Sequence, residues 1–189
     1  AATNALDTLL VQQGVARHFL AALINRLLVE FKVDVRGCPK TLALMGQMPI
    51  SAHTSIVPAT DDDWNGQFQP PTLSVKMVVD MDEALAHIAE HGPCMTAVIA
   101  TSSYSSALRF TREVDAGAVL VNASSRLHDA EGFGFGSDIG LSSARLHAKG
   151  PIGLEQLTCE KYVVFGNGQL RLPHPVPETY FDAIMLKRP

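Results

Sequence analysis

Short apolar runs alternate with amphipathic stretches through residues 1–122. Five runs rich in Val, Leu and Ile have the length and composition of buried strands: residues 8–11, 33–35, 73–79, 97–100 and 118–121. Apolar residues at helical spacing predict three helices that pack on one face: residues 16–31, 81–91 and 104–114. Strands separated by helices of about ten residues or more pair in parallel through right-handed crossovers. The pattern therefore predicts an α/β fold, doubly wound around a mainly parallel sheet.

The pattern changes after Asn122. Residues 122–161 read NASSRLHDAEGFGFGSDIGLSSARLHAKGPIGLEQLTCEK, in which glycines and short polar residues alternate with Phe, Ile and Leu. A connection of this length in a compact domain is usually functional or disordered. Its apolar content argues against disorder. We therefore expect a long, ordered, functional loop that runs to about residue 157.

An isolated β-prone run, KYVVF, follows that loop between Lys161 and Phe165. It has no obvious partner strand in its own domain, so we expect it to pair with the edge of another subunit's sheet. The tail beyond it contains several prolines, which predict an extended or mobile segment. The run is thus a predicted oligomerisation strand.

Composition excludes several classes of protein. With 47% apolar and 18% charged residues the chain is typical of a soluble globular domain. The net charge of −4 and the lack of a basic run argue against a nucleic-acid partner. No apolar stretch approaches the roughly 20 residues of a membrane span. Three scattered cysteines, Cys38, Cys94 and Cys159, form no CxxC pair and indicate the reducing cytoplasm.

Several spaced motifs, in the correct order, resemble those of the gamma-glutamyl phosphate reductases (glutamate-5-semialdehyde dehydrogenases), within the aldehyde dehydrogenase superfamily. TNALDTLLV, from Thr3 to Val11, is similar to the family pattern CNAxETLLV. The loop segments NASSR, FGFGSDIGLSS and HAKGPIGLEQLT resemble NASTR, FGLGAEIGIST and HARGPxGLExLT. DW at 63–64 and LSVK at 73–76 also match. The resemblance covers residues 4 to about 168.

The resemblance implies the catalytic half of an enzyme of proline biosynthesis, which uses NADPH to reduce gamma-glutamyl phosphate to glutamate 5-semialdehyde. In that chemistry a cysteine thiolate accepts the acyl group before hydride transfer. The family pattern places the nucleophile at Thr3, with Asn4 beside it. It implies substrate contacts at Asn122, Ser124, Ser125, Arg126, His147 and Lys149. For the three charged residues among these, a solvated surface position is the open alternative.

The same resemblance implies how the chain is organised. NADPH would be bound mainly by an N-terminal dinucleotide-binding half that these residues do not include. Residues 1–122 would form the catalytic-type α/β domain, and residues 123–189 the active-site loop, the oligomerisation strand and the tail. The expected partners are a further copy of the chain and that missing half.

The departures from the family pattern matter as much as the matches. Thr3 replaces the nucleophilic cysteine, and a hydroxyl is a poor nucleophile and a poor leaving group at neutral pH without a strong base. Gln67 stands where the family has an acidic residue that holds the cofactor ribose. Lys149 stands where the family pattern has an arginine, so a compact ammonium replaces a planar guanidinium that can donate two parallel hydrogen bonds. We therefore expect no activity from this chain alone; the alternative is a non-catalytic homologue that serves as a binding or assembly module.

Three further patterns carry weaker signals. HIAEH, from His87 to His91, matches a zinc-peptidase motif but lies in the last turn of a helix, where histidines favour the helix dipole; we expect no metal. Residues 132–136, GFGFG, lack the third glycine of a dinucleotide loop. They predict either a turn against the substrate or a packing turn. Cys94 could replace the nucleophile but is more simply a small residue in a turn.

Overall fold

The computed structural model describes residues 4–49, 56–65, 71–92, 95–142, 144 and 147–166. The chain divides into two compact units, Ala1–Thr158 and Cys159–Pro189. The loop that begins at Asn122 lies in the first of these units, and the predicted division into residues 1–122 and 123–189 stays a prediction. Asn4, ahead of the first strand, donates hydrogen bonds to the carbonyls of Arg126 and His128 and so connects this loop to the start of the sheet.

Two parallel sheets organise the first unit. The larger sheet has four strands in the order β1-β4-β2-β3: β1 Thr8–Gln12, β2 Asp34–Gly37, β3 Ile56–Pro58 and β4 Thr72–Val78. The smaller sheet pairs β5 Thr96–Ile99 with β6 Ala118–Val121. Leu9 lies opposite Val75, and Val35 opposite Leu73. The α/β class and the mainly parallel pairing are confirmed.

Helices connect these strands: α1 Gln13–Asn25, α2 Pro39–Met45, α3 Asp62–Asn65, α4 Met81–His91 and α5 Tyr104–Glu113. The helix predicted over residues 16–31 begins earlier and changes at its end to a π-helical turn, Arg26–Glu30. α4 has the predicted bounds because Asp80 caps it, accepting a hydrogen bond from the Glu83 amide at 3.0 Å. Gly92 follows at its C-terminal end.

The core lies between α1, α2 and the larger sheet. Leu20 and Ile24 of α1 are fully buried, as are Val35 and Val75 of the central strands. Met45, at the end of α2, completes the cluster. The central strands present Val35, Leu73 and Val75 to this core, and short apolar runs of this kind were readable in the sequence.

Other elements were not predicted. α2 begins at Pro39, which occupies the first turn, where its missing N–H is tolerated. The long loop contains a 3-10 turn, Ser125–Leu127, an antiparallel hairpin of β7 Gly140–Ser142 and β8 Gly150–Ile152, and the short helix α6 Leu154–Leu157. Three-residue strands carry too little periodicity to be recognised.

The predicted strand between Lys161 and Phe165 is not a strand in the single chain. The side chains of Tyr162, Val163, Val164 and Phe165 are between 63% and 95% exposed. Its pairing with another subunit therefore stays a prediction. The proline-containing tail lies outside the described residues. Among the residues that the structure describes, no helix is long and apolar enough to cross a membrane.

We predict that Leu20→Ala lowers the free energy of unfolding by about 2–5 kcal/mol, because Leu20 is completely buried and the change leaves a cavity. Leu154→Ala is the matched control, since Leu154 is 78% exposed, and it should change stability by about 0.5 kcal/mol or less. Urea denaturation measures both. Equal effects would contradict the described core.

Candidate functional site

Asn4 connects the start of β1 to the turn after β6. Its side-chain amide donates to the carbonyls of Arg126 and His128 at 3.3 and 3.1 Å. Its side-chain oxygen accepts a hydrogen bond from the Arg126 guanidinium. The Ser125 hydroxyl donates to the Asn4 carbonyl at 2.9 Å. Predicted site residues 122 positions apart in the chain thus meet at one point.

The turn itself is held by short polar side chains. Asn122 ends β6 with a φ of 53°, in the left-handed region that asparagine tolerates better than most residues. Its side chain accepts from the Thr101 amide at 2.8 Å and donates to the Thr101 carbonyl at 2.9 Å. The Ser124 hydroxyl accepts from the Arg126 amide at 3.3 Å and so begins the 3-10 turn. Both predicted residues shape the backbone around the site.

His128 is a site residue that the sequence did not reveal. Its ring is 1% exposed, and Nδ1 lies 2.7 Å from the Thr96 hydroxyl on β5. The ring of Phe133 stacks on it, with the centroids 5.5 Å apart. Burial lowers the pKa of His128, so the ring is neutral. A ring packed in this way holds the turn against β5 of the smaller sheet, while the main-chain carbonyl of the same residue accepts from Asn4.

The remaining predicted residues are more dispersed. Lys149 forms an ion pair with Asp115, so its ammonium already has an anionic partner. His147 is exposed. Phe133 of the glycine-rich turn packs on His128, whereas Phe135 is 74% exposed. The glycine-rich turn therefore packs against His128 on one side and is exposed to solvent on the other.

Three sequence candidates, Thr3, Gln67 and Cys94, lie outside the described residues. Thr3 is adjacent in sequence to Asn4, so the Asn4 contacts fix the chain next to the position of the family nucleophile. The roles predicted for Gln67 and Cys94 stay predictions.

The described residues do not by themselves fit a nicotinamide dinucleotide. The side chain of Gln12 accepts from the Gly14 amide at 2.7 Å and covers the start of α1, where a phosphate would bind in a dinucleotide fold. Gly132–Gly136 follows a turn rather than a strand within this part of the chain. The described residues therefore do not form a binding site for the dinucleotide by themselves.

His87 and His91 are not arranged as a metal pair. His87 Nδ1 lies 3.0 Å from the Lys76 ammonium, and His91 Nδ1 lies 3.2 Å from the Asn65 side-chain oxygen. The described residues contain no group of three or more potential ligands. Burial, followed by the nearby Lys76 charge, lowers the pKa of His87 to about 4. His87 is therefore a neutral, buried histidine at pH 7.

Comparison with known proteins identifies the family. No family model matches the chain. The gamma-glutamyl phosphate reductase of Magnetococcus marinus is 45% identical over 168 residues, which cover 89% of this chain and 38% of the relative. That of Clostridium acetobutylicum is 46% identical over 171 residues, covering 90% of the chain and 39% of the relative.

A crystal structure of gamma-glutamyl phosphate reductase from Thermotoga maritima superposes with a TM-score of 0.76 at 40% identity, covering 90% of this chain and 39% of that one. The chain belongs to the gamma-glutamyl phosphate reductase family. It spans about two fifths of the length of these relatives. The family resemblance read from the spaced motifs is confirmed.

We predict that stability falls as the pH is lowered from about 6.5 to 4, because of His87. In this window the unfolded chain binds a proton that the folded chain does not, since the pKa of His87 is lowered from 6.5 to about 4. Each pKa unit corresponds to about 1.4 kcal/mol. Above pH 6.5 His87 is neutral in both the folded and the unfolded chain, so it no longer lowers the free energy of unfolding.

His87→Gln should flatten the dependence of the urea midpoint on pH between 7 and 4. His18→Gln is the matched control, because His18 is exposed, and it should leave the slope unchanged. The same slope in the wild type and in His87→Gln would contradict the assignment.

Proposed function

We propose that this chain is the acyl-accepting part of a gamma-glutamyl phosphate reductase-type protein whose nucleophile has been lost. The whole-enzyme reaction would be the NADPH-dependent reduction of gamma-glutamyl phosphate to glutamate 5-semialdehyde in the cytoplasm. The supporting observation is the Asn4 junction. It holds the residue beside the nucleophile position against a turn that contains Ser125 and Arg126.

The turn offers groups suited to an anionic substrate. Arg126 carries a permanent charge with several N–H donors, which suits a carboxylate or an acyl phosphate. Ser124 and Ser125 add hydroxyl groups on the same turn. Lys149 has a partner in Asp115, so a substrate anion would compete with that carboxylate for the ammonium. We therefore assign anion binding chiefly to Arg126 and a weaker contribution to Lys149.

The chemistry then depends on residue 3. An acyl acceptor must attack readily and later leave readily, and a thiolate does both near neutral pH. The hydroxyl of Thr3 does neither without a strong base beside it. Because the described residues do not form a dinucleotide cradle, we propose that NADPH is bound mainly by polypeptide beyond this chain, with Gln67 at the family's ribose position.

A second function is supported by a different observation. The four consecutive apolar or aromatic side chains from Tyr162 to Phe165 are largely exposed. A β-prone exposed run of this kind is a site for strand pairing between chains. The chain would then act as a binding or assembly module, with or without residual ligand binding.

We predict that the chain has no turnover of glutamate semialdehyde with NADP, whereas Thr3→Cys becomes acylated. Intact mass spectrometry with acetyl phosphate as the acyl donor should show one additional adduct on Thr3→Cys relative to the wild type. Thr3→Ser is the matched control, because it retains a hydroxyl, and should resemble the wild type.

Adding Arg126→Ala to Thr3→Cys should slow that acylation, because the donor's phosphate loses its cation. Turnover by the unmodified chain would contradict the proposed loss of activity. Equal labelling of Thr3→Cys and Thr3→Ser would contradict the position of the nucleophile.

We predict that the unmodified chain forms a dimer or larger assembly through the run from Lys161 to Phe165. Val163→Pro removes a ladder N–H and, at roughly 3 kcal/mol or more for a badly placed proline, should dissociate it. Size-exclusion chromatography with light scattering measures the mass. Val163→Thr, which retains the N–H and the β-branch, should remain assembled. A monomeric wild type would contradict the role of this run.

A further inference from the structure

The two faces of the larger sheet differ in chemistry. Val35 and Val75 of the central strands point into the apolar core. Side chains alternate along a strand, so Arg36 of β2, together with Ser74 and Lys76 of β4, points to the second face. The register places Arg36 directly opposite Ser74, and Lys76 lies two residues further along β4. Two cations are therefore neighbours on the second face of the central strands.

Two helices pack on this second face. The Ser74 hydroxyl donates to the Asp63 carbonyl of α3 at 3.0 Å. Lys76 Nζ lies 3.0 Å from His87 Nδ1 of α4. Ser74 is fully buried, whereas Arg36 and Lys76 are half-buried. The two charged side chains are therefore partly enclosed and still accessible from solvent.

Arg36 has no polar partner in the part of the chain that the structure describes. Its Nε is buried and makes no hydrogen bond. No ion pair among the described residues includes its guanidinium. Asp34, two positions earlier on the same strand, is exposed and is not paired with it. Burying an N–H donor without an acceptor is unfavourable, so this guanidinium requires an acceptor that the described residues do not supply.

Lys76 has a neutral partner. His87 is uncharged at pH 7, because burial, followed by the nearby Lys76 charge, lowers its pKa to about 4. Its Nδ1 can accept one hydrogen bond from the ammonium, but the ring cannot balance the positive charge. An ammonium has three N–H donors, so two remain for another acceptor.

Two acidic residues of the covering helices are engaged elsewhere. Asp63 Oδ2 accepts from the Thr60 amide at 2.7 Å and from the Thr60 hydroxyl at 2.9 Å. Glu83 accepts from the Val79 amide at 2.7 Å. Neither carboxylate forms an ion pair with the two cations. Within the described residues, the two positive charges on this face are thus not balanced by an acidic group.

We propose that Arg36 and Lys76 form a binding site for a phosphate-type dianion on the second face of the larger sheet. Two positive charges on neighbouring strands match a ligand with two negative charges. A planar guanidinium can donate two parallel N–H bonds to a phosphate group, and the ammonium acts as a second, compact charge. A carboxylate has one charge and two oxygens, so it would balance only one of the cations.

This site goes beyond the acyl transfer proposed above, because neither cation belongs to the Asn4 junction or to the position of the nucleophile. Ser74 lies directly opposite Arg36, but its hydroxyl proton is already donated to Asp63. Binding therefore depends on the two cations. The ligand chemistry is that of a phosphate group, either as the free ion or as part of a larger molecule.

Urea denaturation with added inorganic phosphate, at constant ionic strength, tests the site. A ligand that binds only the folded chain raises the ratio of folded to unfolded chain by about tenfold at ten times its Kd. Phosphate also stabilises proteins in general because it is excluded from their surface, but that effect does not saturate. We expect a saturable rise of the urea midpoint for the unmodified chain. A rise that is absent or strictly linear would overturn the inference.

Arg36→Met and Arg26→Met are the matched variants. Arg36→Met removes the charge together with the unsatisfied Nε, so without phosphate its urea midpoint should equal or exceed that of the unmodified chain. Its saturable response to phosphate should be lost, as should that of Lys76→Met. Arg26→Met removes an arginine whose side chain is 66% exposed and should retain the response. The same saturable response in Arg36→Met and in the unmodified chain would contradict the site.

The single tryptophan of the chain gives a binding signal that needs no unfolding. The ring of Trp64 lies edge-on to that of His87, with the centroids 5.1 Å apart, and His87 contacts Lys76. Phosphate binding should therefore change the Trp64 fluorescence saturably, and this change should be absent in Arg36→Met. Acetate at the same ionic strength should give no saturable change; an equal response to acetate would overturn the assignment to a dianion.

Glycerol phosphate, titrated in the same way, distinguishes the two sources of the phosphate group. Tighter binding of the ester than of inorganic phosphate assigns the site to a phosphate group on a larger molecule. Equal or weaker binding of the ester assigns it to the free ion. Binding of neither compound would contradict the site.

Discussion

The hydrogen bonds of Asn4 join the start of β1 to the turn after β6, and the candidate site depends on this junction. The two segments are far apart in the chain and belong to different sheets. Asn4 contributes a side-chain donor, a side-chain acceptor and a main-chain carbonyl to the same short turn. Ser125 and Arg126 are held beside Asn4 through these contacts, and the buried His128 connects the same turn to β5 through Thr96.

The junction also explains how the chemistry can change while the scaffold remains. Asn4, Ser125 and Arg126 interact with one another through groups that do not include the side chain of residue 3. Replacing a cysteine by Thr3 would therefore remove a nucleophile without removing those contacts. A family member can in this way retain the fold and the turn that contains Ser125 and Arg126 while its proposed activity is lost.

The elements that were predicted from the sequence are those whose pattern of residues lies within the element itself. β4 was readable because apolar residues alternate along it with Thr72, Ser74 and Lys76. α4 was readable because Asp80 and Gly92 mark the helix ends. The π-helical turn after α1 and the β7–β8 hairpin were not, since neither has enough residues to show a period. The partner of KYVVF is likewise not encoded in the run itself.

The site was predicted only in part, for a related reason. The family motifs identified Asn4, Ser125 and Arg126 as site residues, but spacing alone could not show that they bond to one another. His128 was missed because a polar residue gives no apolar signal, although its ring is almost fully buried. Its neighbour Thr96 comes from another sheet, and only the folded chain brings the two together.

A double-mutant cycle on Asn4 and Arg126 tests the junction most directly. The free energies of unfolding of the wild type, Asn4→Ala, Arg126→Ala and the double variant would be measured by urea denaturation. Residues in direct contact show coupling energies of about 0.5–3 kcal/mol. Arg26→Ala combined with Asn4→Ala is the control, because Arg26 pairs with Glu30 on the surface of α1's extension. A coupling of about 1 kcal/mol for Asn4 with Arg126, and near zero for the control, is predicted; strict additivity for Asn4 and Arg126 would contradict the account.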